Sequence, residues 1–247
     1  MSLTQVDILG CKLNPLSMEQ CLEMIARGIR SGKAMHVITL NAEIAYQARQ
    51  NQALQNVINQ ADLVTADGIG VVWGARHLGY SVPERVTGID LMQRLTPKAA
   101  EKGWPIYLLG AKPGVAQKAA QELSRRWPAL IIAGFHDGYF TAQEVPGIVE
   151  EINSSAAQIL FVALGAPKQE FWIREHFKEL TVPIRIGVGG SLDVIAGQKK
   201  RAPGIFIKLN LEWLYRLITE PSRLRRQLTL PLFVCSILWE GLQRRHR

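Results

Sequence analysis

Short apolar runs recur between residues 1 and 190, and amphipathic stretches fill the gaps between them. The runs are VDIL near residue 7, MHVITL from 35, DLVTA from 62, PIYLLG from 105, ALIIAG from 129, QILFVALG from 158 and PIRIGVGG from 183. They do not alternate apolar with polar residues and are bounded by Gly or Pro, which is the pattern of strands buried on both faces of a parallel sheet. The intervening stretches carry helix signals. SMEQCLEMIARGIRSG has Ser17 at an N-cap position and Gly32 near a C-cap, and KPGVAQKAAQELSRRW has Pro113 near its start. Strand and helix alternating in this way predict an α/β doubly wound, mainly parallel, Rossmann-like sheet.

Composition narrows the class. Of 247 residues 47% are apolar and 20% charged, with 21 Gly and 12 Pro, which excludes disorder, collagen and coiled coil. Cys11, Cys21 and Cys235 are odd in number and lack CxxC spacing, so neither a disulfide framework nor a zinc site is expected, and a reducing, cytoplasmic compartment fits. The N-terminus lacks the basic and apolar regions of a signal peptide, and no window reaches the roughly 18 apolar residues of a spanning helix. The formal charge of +8 is unevenly placed. Residues 1–198 hold 18 basic and 18 acidic residues, whereas residues 199–247 hold 11 and 3. The chain thus divides into an α/β body, 1–198, and a basic amphipathic C-terminal appendage, 199–247, whose charge suits phosphates on nucleic acid, lipid or a substrate diphosphate. Cutting near residue 200 is expected to leave a folded, more soluble body.

In such a sheet ligands collect beyond the carboxyl ends of the strands. The residues there are polar or glycine-rich: Thr39 and Asn41, Asp67 and Gly68, GAKPG after PIYLLG, APKQE after QILFVALG, and Ser191 and Asp193 after RIGVGG. Gly110, Lys112 and Gly114 lie in a strand-to-helix turn able to receive a phosphate, although the turn matches neither GxGxxG nor GxxxxGK[ST], and a plain turn is the competing reading. Asp67 has two readings as well. It is a rim carboxylate whose desolvation suits a general base, or it caps the helix starting near Ile69. Arg85 either clamps an anion or forms a surface ion pair. Lys168 and Gln169 open a helix, where a cation opposes the helix dipole unless an anion lies between them. His136 reads as a satisfied loop histidine. There is no Ser-His-Asp arrangement and no D-x-D, so any leaving diphosphate would be met by Arg, Lys and helix termini rather than by a carboxylate-held metal.

The appendage is punctuated by Pro221 and Pro231. Arg223 and Arg226 are three apart and share a helical face. LTLPLFVCSILW is too short to span a bilayer but suits burial in its interface, and the competing reading is a helix packed on the sheet that completes the core.

TLNAE, ADGIGVV, RVTGIDL, LLGAKPG, FHDGYF, ALGAPKQEFWI, GVGGSLDVIAG and RAPGIFIKLNLEWLYRLITEPSRLRRQ occur in order between about residues 36 and 227. This set resembles the WecG/TagA/CpsF glycosyltransferases. The resemblance implies an inverting, metal-independent enzyme of cell-surface polysaccharide or teichoic acid synthesis. Such an enzyme moves N-acetylmannosamine, or its uronic acid, from a UDP donor to polyprenyl-diphosphate-linked N-acetylglucosamine. It further implies that Asp67 is the general base and that Thr39, Asn41, Arg85 and Gln169 are active-site residues. Gly110 and Lys168 join the donor-binding set, Asp193 with Gly189 and Gly190 contacts the uridine, and Arg216, Arg223 and Arg226 close over the diphosphate. No cofactor is called for, the UDP-sugar being a substrate. The expected partners are that donor, the lipid-linked acceptor and the inner face of the plasma membrane, where the protein would sit peripherally, with no nucleic acid and with self-association left open. The competing class is a basic-tailed nucleic-acid or membrane-surface binding module without catalysis. The missing RNP1 and helix-turn-helix signatures count against its nucleic-acid form.

Overall fold

The computed structural model describes residues 5–219 and 228–245, apart from the side chains of Arg216 and Arg245. Six of the seven apolar runs form one parallel sheet: β3 (Met35–Leu40), β4 (Leu63–Ala66), β5 (Ile106–Gly110), β6 (Ile132–His136), β7 (Ile159–Ala163) and β8 (Ile184–Gly187), in the order β4-β3-β8-β7-β5-β6. Val37 pairs with Leu63 on one side and Ile186 on the other, and Phe161 continues the row from Ile186 to Leu108. β3, β4, β5, β7 and β8 are buried along their whole length, as continuous apolar runs require. β6 is an edge strand and is only half-buried, and Phe135, directly after ALIIAG, is exposed.

VDIL departs from the expectation. It forms β1 (Val6–Ile8), which pairs antiparallel with β2 (Cys11–Leu13) in a separate two-stranded hairpin. The reason is local: Leu9 and Gly10 both adopt positive φ, the two-residue hairpin turn, and Asp7 Oδ1 accepts the Gly10 N–H at 2.9 Å. The chain leaving the hairpin covers the exposed edge of β4. There Asn14 donates its N–H to the Val64 carbonyl at 2.9 Å and accepts the Val64 N–H on Oδ1 at 2.8 Å.

Helices cover both faces. The first, Met18–Ser31, is closed by a capping box between Ser17 and Gln20 and by a left-handed Gly32, as its sequence predicts. With Gly88–Lys102 and Val115–Arg126 it packs on one face of the sheet. On the other face Ala42–Gln50, Gln52–Asn59 and Ile69–His77 cover β3 and β4, and the last described helix, Thr229–Arg245, joins them. Phe233 and Ile237 of that helix are fully buried, and a methyl added at Gly74 would stand 3.1 Å from the Phe233 ring and 3.2 Å from Ile237. The opposite face of the same helix leaves Leu232, Leu238, Trp239 and Leu242 exposed. Among the described residues no helix is long and apolar enough to cross a membrane.

One buried pair lies at the amino end of the sheet, away from the strand ends that carry chemistry. His36 on β3 lies in register with Arg185 on β8, and both are almost wholly buried. Burial, then the charges of Arg185 and Arg174, pushes the His36 imidazole from 6.5 down to about 3. Folded His36 therefore stays neutral where the unfolded chain takes up a proton, so stability drains as pH falls from about 6.5 toward 3. The urea midpoint should drop between pH 7 and pH 4.5, and His36→Gln should remove a measurable part of that drop. An equal drop in both proteins would clear His36 of the effect.

Candidate active site

A cleft of about 640 Å³ opens where β3, β4, β7 and β8 end, and it is lined on the far side by residues from 210–217 and 228–234. The strand ends and the turns after them bring polar groups to it. Thr39, near the end of β3, is buried and donates from Oγ1 to the Gly187 carbonyl of β8 at 3.3 Å, which ties the two strand ends together. Asn41 follows β3 directly, and its Oδ1 accepts the Ile44 N–H at 3.0 Å as the N-cap of Ala42–Gln50. That helix and the one opened by Gly68 meet at the cleft so closely that a methyl at Gly70 would lie 3.1 Å from Ala42 Cβ.

Asp67 follows β4. Its own N–H donates to the Leu40 carbonyl at 2.8 Å, and Gly68, at φ 93, turns the chain into Ile69–His77. The N-cap residue of that helix is Gly68, which has no side chain to cap with. Asp67 Oδ2 accepts the Gly88 N–H at 3.4 Å, across the cleft floor. Gly88 is the first residue of Gly88–Lys102, capped by Thr87, and the Asp67 carboxylate thus faces the positive end of that helix.

Arg85 lines the same cleft and is mostly shielded from solvent. Its guanidinium meets Glu212 at 2.8 Å, from the helix Glu212–Thr219, and Asp90 at 4.0 Å. Asp90 also pairs with Arg201. The ion pair expected as an alternative for Arg85 is therefore present, and it fastens the appendage to the rim of the body. Gln169 is buried below the turn after β8. Its Oε1 accepts the Gly189 N–H at 3.0 Å, and its Nε2 donates to Glu170 at 2.8 Å. Gly189 and Gly190 line the cleft beside Ser191.

Seven expected site residues thus share one wall: Thr39, Asn41, Asp67, Arg85, Gln169, Gly189 and Gly190. Three others lie off it. Gly110, at φ 125, sits where a methyl would come within 2.5 Å of the Ala163 backbone, so glycine is needed for the close approach of β5 and β7. Lys168 is exposed, its Nζ 5.4 Å from the centre of the Phe140 ring. Asp193 is set back behind Gly190, its carboxylate 3.8 Å from where a Gly190 methyl would be. Arg223 and Arg226 lie outside the described residues, as does the side chain of Arg216, whose helix lines the cleft through Glu212, Trp213 and Leu217.

Glu212 escapes a reading of the sequence because it sits in a basic, aromatic stretch, yet it is one of only three carboxylates between residues 199 and 247. That rarity is the available signal. The far wall is apolar, with Trp213, Leu217, Leu228, Pro231 and Val234. Among the described lining residues one guanidinium, Arg85, stands against three carboxylates, Glu43, Asp67 and Glu212. Three helix N-termini, after Asn41, Gly68 and Thr87, bring partial positive charge to the same space.

The cleft combines a rim carboxylate, helix N-termini and an apolar wall, and comparison with known proteins gives that combination a chemical class. The family model described as glycosyl transferase WecG/TagA/CpsF matches residues 6–247. A protein of Bacillus spizizenii is 38% identical over 206 residues, 83% of this chain and 79% of its own length. One of Staphylococcus aureus is 37% identical over 235 residues, 94% of this chain and 92% of its own. Both are named N-acetylglucosaminyldiphosphoundecaprenol N-acetyl-beta-D-mannosaminyltransferase. With the match running from the hairpin to the last residue, this chain belongs to the WecG/TagA/CpsF family of glycosyl transferases.

Proposed function

We propose that the protein transfers an N-acetylmannosaminyl group from a UDP donor to the N-acetylglucosamine of a polyprenyl-diphosphate lipid, with inversion and without a metal. The observation that carries the reading is the placement of Asp67. Its carboxylate lies at the cleft floor, at the end of β4, where it accepts the Gly88 N–H. In the transfer the acceptor hydroxyl oxygen attacks the anomeric carbon while the bond from that carbon to the diphosphate oxygen breaks. The electron pair leaves with UDP, and the hydroxyl proton passes to Asp67. Thr39, Asn41 and Gln169 supply polar contacts along the same wall. The activity named for the two relatives favours the N-acetylmannosaminyl group over its uronic acid.

The charge balance of the cleft supports a part for the appendage. Arg85, the guanidinium among the described lining residues, is already engaged by Glu212 and Asp90, so a diphosphate entering the cleft needs further cations. Arg216, Arg223 and Arg226, which lie in the sequence between the lining residues Trp213 and Leu228, are the cations we assign to the leaving UDP. The exposed apolar row of Leu232, Leu238, Trp239 and Leu242 suits shallow insertion at the inner face of the plasma membrane, where the acceptor lipid resides.

UDP is expected to bind equally well in EDTA and in magnesium, as measured by calorimetry, because cationic side chains and helix termini meet its charge. Binding that required added metal would defeat the metal-free reading. The function itself is tested by incubating labelled UDP-N-acetylmannosamine with lipid-linked N-acetylglucosamine. A β-linked disaccharide lipid is expected, and the absence of any product would overturn the proposal.

A further inference from the structure

Glu170 has no part in the chemistry described so far, yet it is the most deeply buried carboxylate beside the cleft. It is 1% exposed, and its Oε2 has no hydrogen-bond partner. Burial raises its affinity for a proton, against the opposing effects of Gln169 and of its own backbone N–H. A buried carboxyl with an unpartnered oxygen costs stability, and an apolar residue of similar size would ordinarily serve the core better. What Glu170 does have is one short contact: its Oε1 accepts Gln169 Nε2 at 2.8 Å.

That contact decides which way the Gln169 carboxamide points. Gln169 Oε1 must accept the Gly189 N–H, at 3.0 Å, and Nε2 must donate to Glu170. The flipped amide would set Nε2 against the Gly189 N–H, two donors, and Oε1 against the Glu170 carboxyl oxygen, two acceptors. Gly187 completes the cradle, since a methyl there would lie 2.5 Å from Nε2 and 3.0 Å from Cδ. The chain of contacts runs Glu170, Gln169, Gly189 and then the Gly189–Gly190 turn that lines the cleft.

We propose that Glu170 is a positioning residue for the transfer: it locks the Gln169 carboxamide in one orientation and thereby fixes the Gly189–Gly190 turn at the floor of the cleft. The proposal rests on the transferase reading of that cleft.

Three variants test it, with turnover, thermal midpoint and amide exchange at Gly189 measured on each. Glu170→Leu fills the space without an acceptor. It should hold or raise the midpoint while kcat/KM falls about 10- to 100-fold, the scale of a misplaced site group, and the Gly189 amide should exchange faster. Glu170→Gln keeps an acceptor oxygen and should restore turnover to within about threefold of wild type, a rescue that charge loss alone would not give. Gly187→Ala crowds the same carboxamide from the other side and should reproduce the kinetic loss with Glu170 intact. Adding Gln169→Ala to Glu170→Leu should cost no more than Gln169→Ala alone, because both act through one group.

Turnover within twofold of wild type in both Glu170→Leu and Gly187→Ala would overturn the proposal, as would additive losses in the double variant or a Glu170→Gln protein as impaired as Gln169→Ala. A wild-type protein that transfers no sugar would instead overturn the transferase reading. In that case the Gly189 amide still reports whether Glu170 sets the turn.

Discussion

Asp67→Asn should lose about 10²–10⁴ of its turnover, the contribution typical of a positioned general base, while UDP affinity stays near wild type. A sugar hydroxyl is a weak nucleophile until its proton is removed, and among the expected site residues Asp67 is the carboxylate placed on the cleft floor between the ends of β3 and β4. The substitution separates chemistry from structure because Asp67 accepts a hydrogen bond from Gly88 N–H, at 3.4 Å, and an amide oxygen accepts it equally well. Asp67→Ala removes that acceptor too, so its thermal midpoint should fall below that of Asp67→Asn by about 1 kcal/mol or less in equivalent free energy. Turnover, calorimetric UDP affinity and thermal midpoint on both variants distinguish the roles. An Asp67→Asn enzyme that turns over normally would take Asp67 out of the mechanism and leave it as a brace between β4 and Gly88–Lys102.

The contrast between Asp67 and Arg85 marks where the sequence stops being legible. Position along a strand is local information, so the apolar runs predict six strands of the sheet, and the polar residues after them fall on one wall as the topology requires. Caps are local too, and Ser17 and Gly32 behave as their spacing predicts. What a side chain touches across the fold is not local. Neither Glu212, 127 residues from Arg85, nor Gly88, 21 residues from Asp67, is signalled by any spacing. The hairpin is a middle case. VDIL reads as a sheet strand because three or four apolar residues carry no record of their partner, and the positive φ at the non-glycine Leu9 is not written in residue type. Gly110 has a structural duty that the sequence does not signal. A glycine at a strand end suggests phosphate, but here it serves the approach of two backbones.

The appendage is legible in its charge and, through the competing reading of LTLPLFVCSILW as a helix packed on the sheet, in its packing, which gives a large expected stability effect. Ile237→Ala should destabilise the fold by about 2–5 kcal/mol, the range for truncating a fully buried aliphatic residue. Ile237 is completely buried against Gly74, where its atoms lie 3.2 Å from a built methyl position, so little neighbouring volume can collapse into the space left behind. It does not line the cleft, unlike Phe233, so its loss reports on folding rather than on substrate contact. Removing the whole helix Thr229–Arg245 should go further, uncovering Val71, Val72 and Ala75 in the cluster it shares with Phe233 and Ile237. A chain ending near residue 200 is balanced in charge and retains the sheet, so it is expected to fold. Its midpoint should nonetheless lie well below that of the full chain, with binding of an apolar dye where the helix had been. Urea unfolding of Ile237→Ala, of a chain ending at 227 and of one ending at 198 orders these contributions. A midpoint unchanged in all three would show that the helix adds nothing to the stability of the body, neither through Phe233 and Ile237 nor through its polar contacts, the Arg49–Ser236 hydrogen bond and the Arg244–Asp7 ion pair among them.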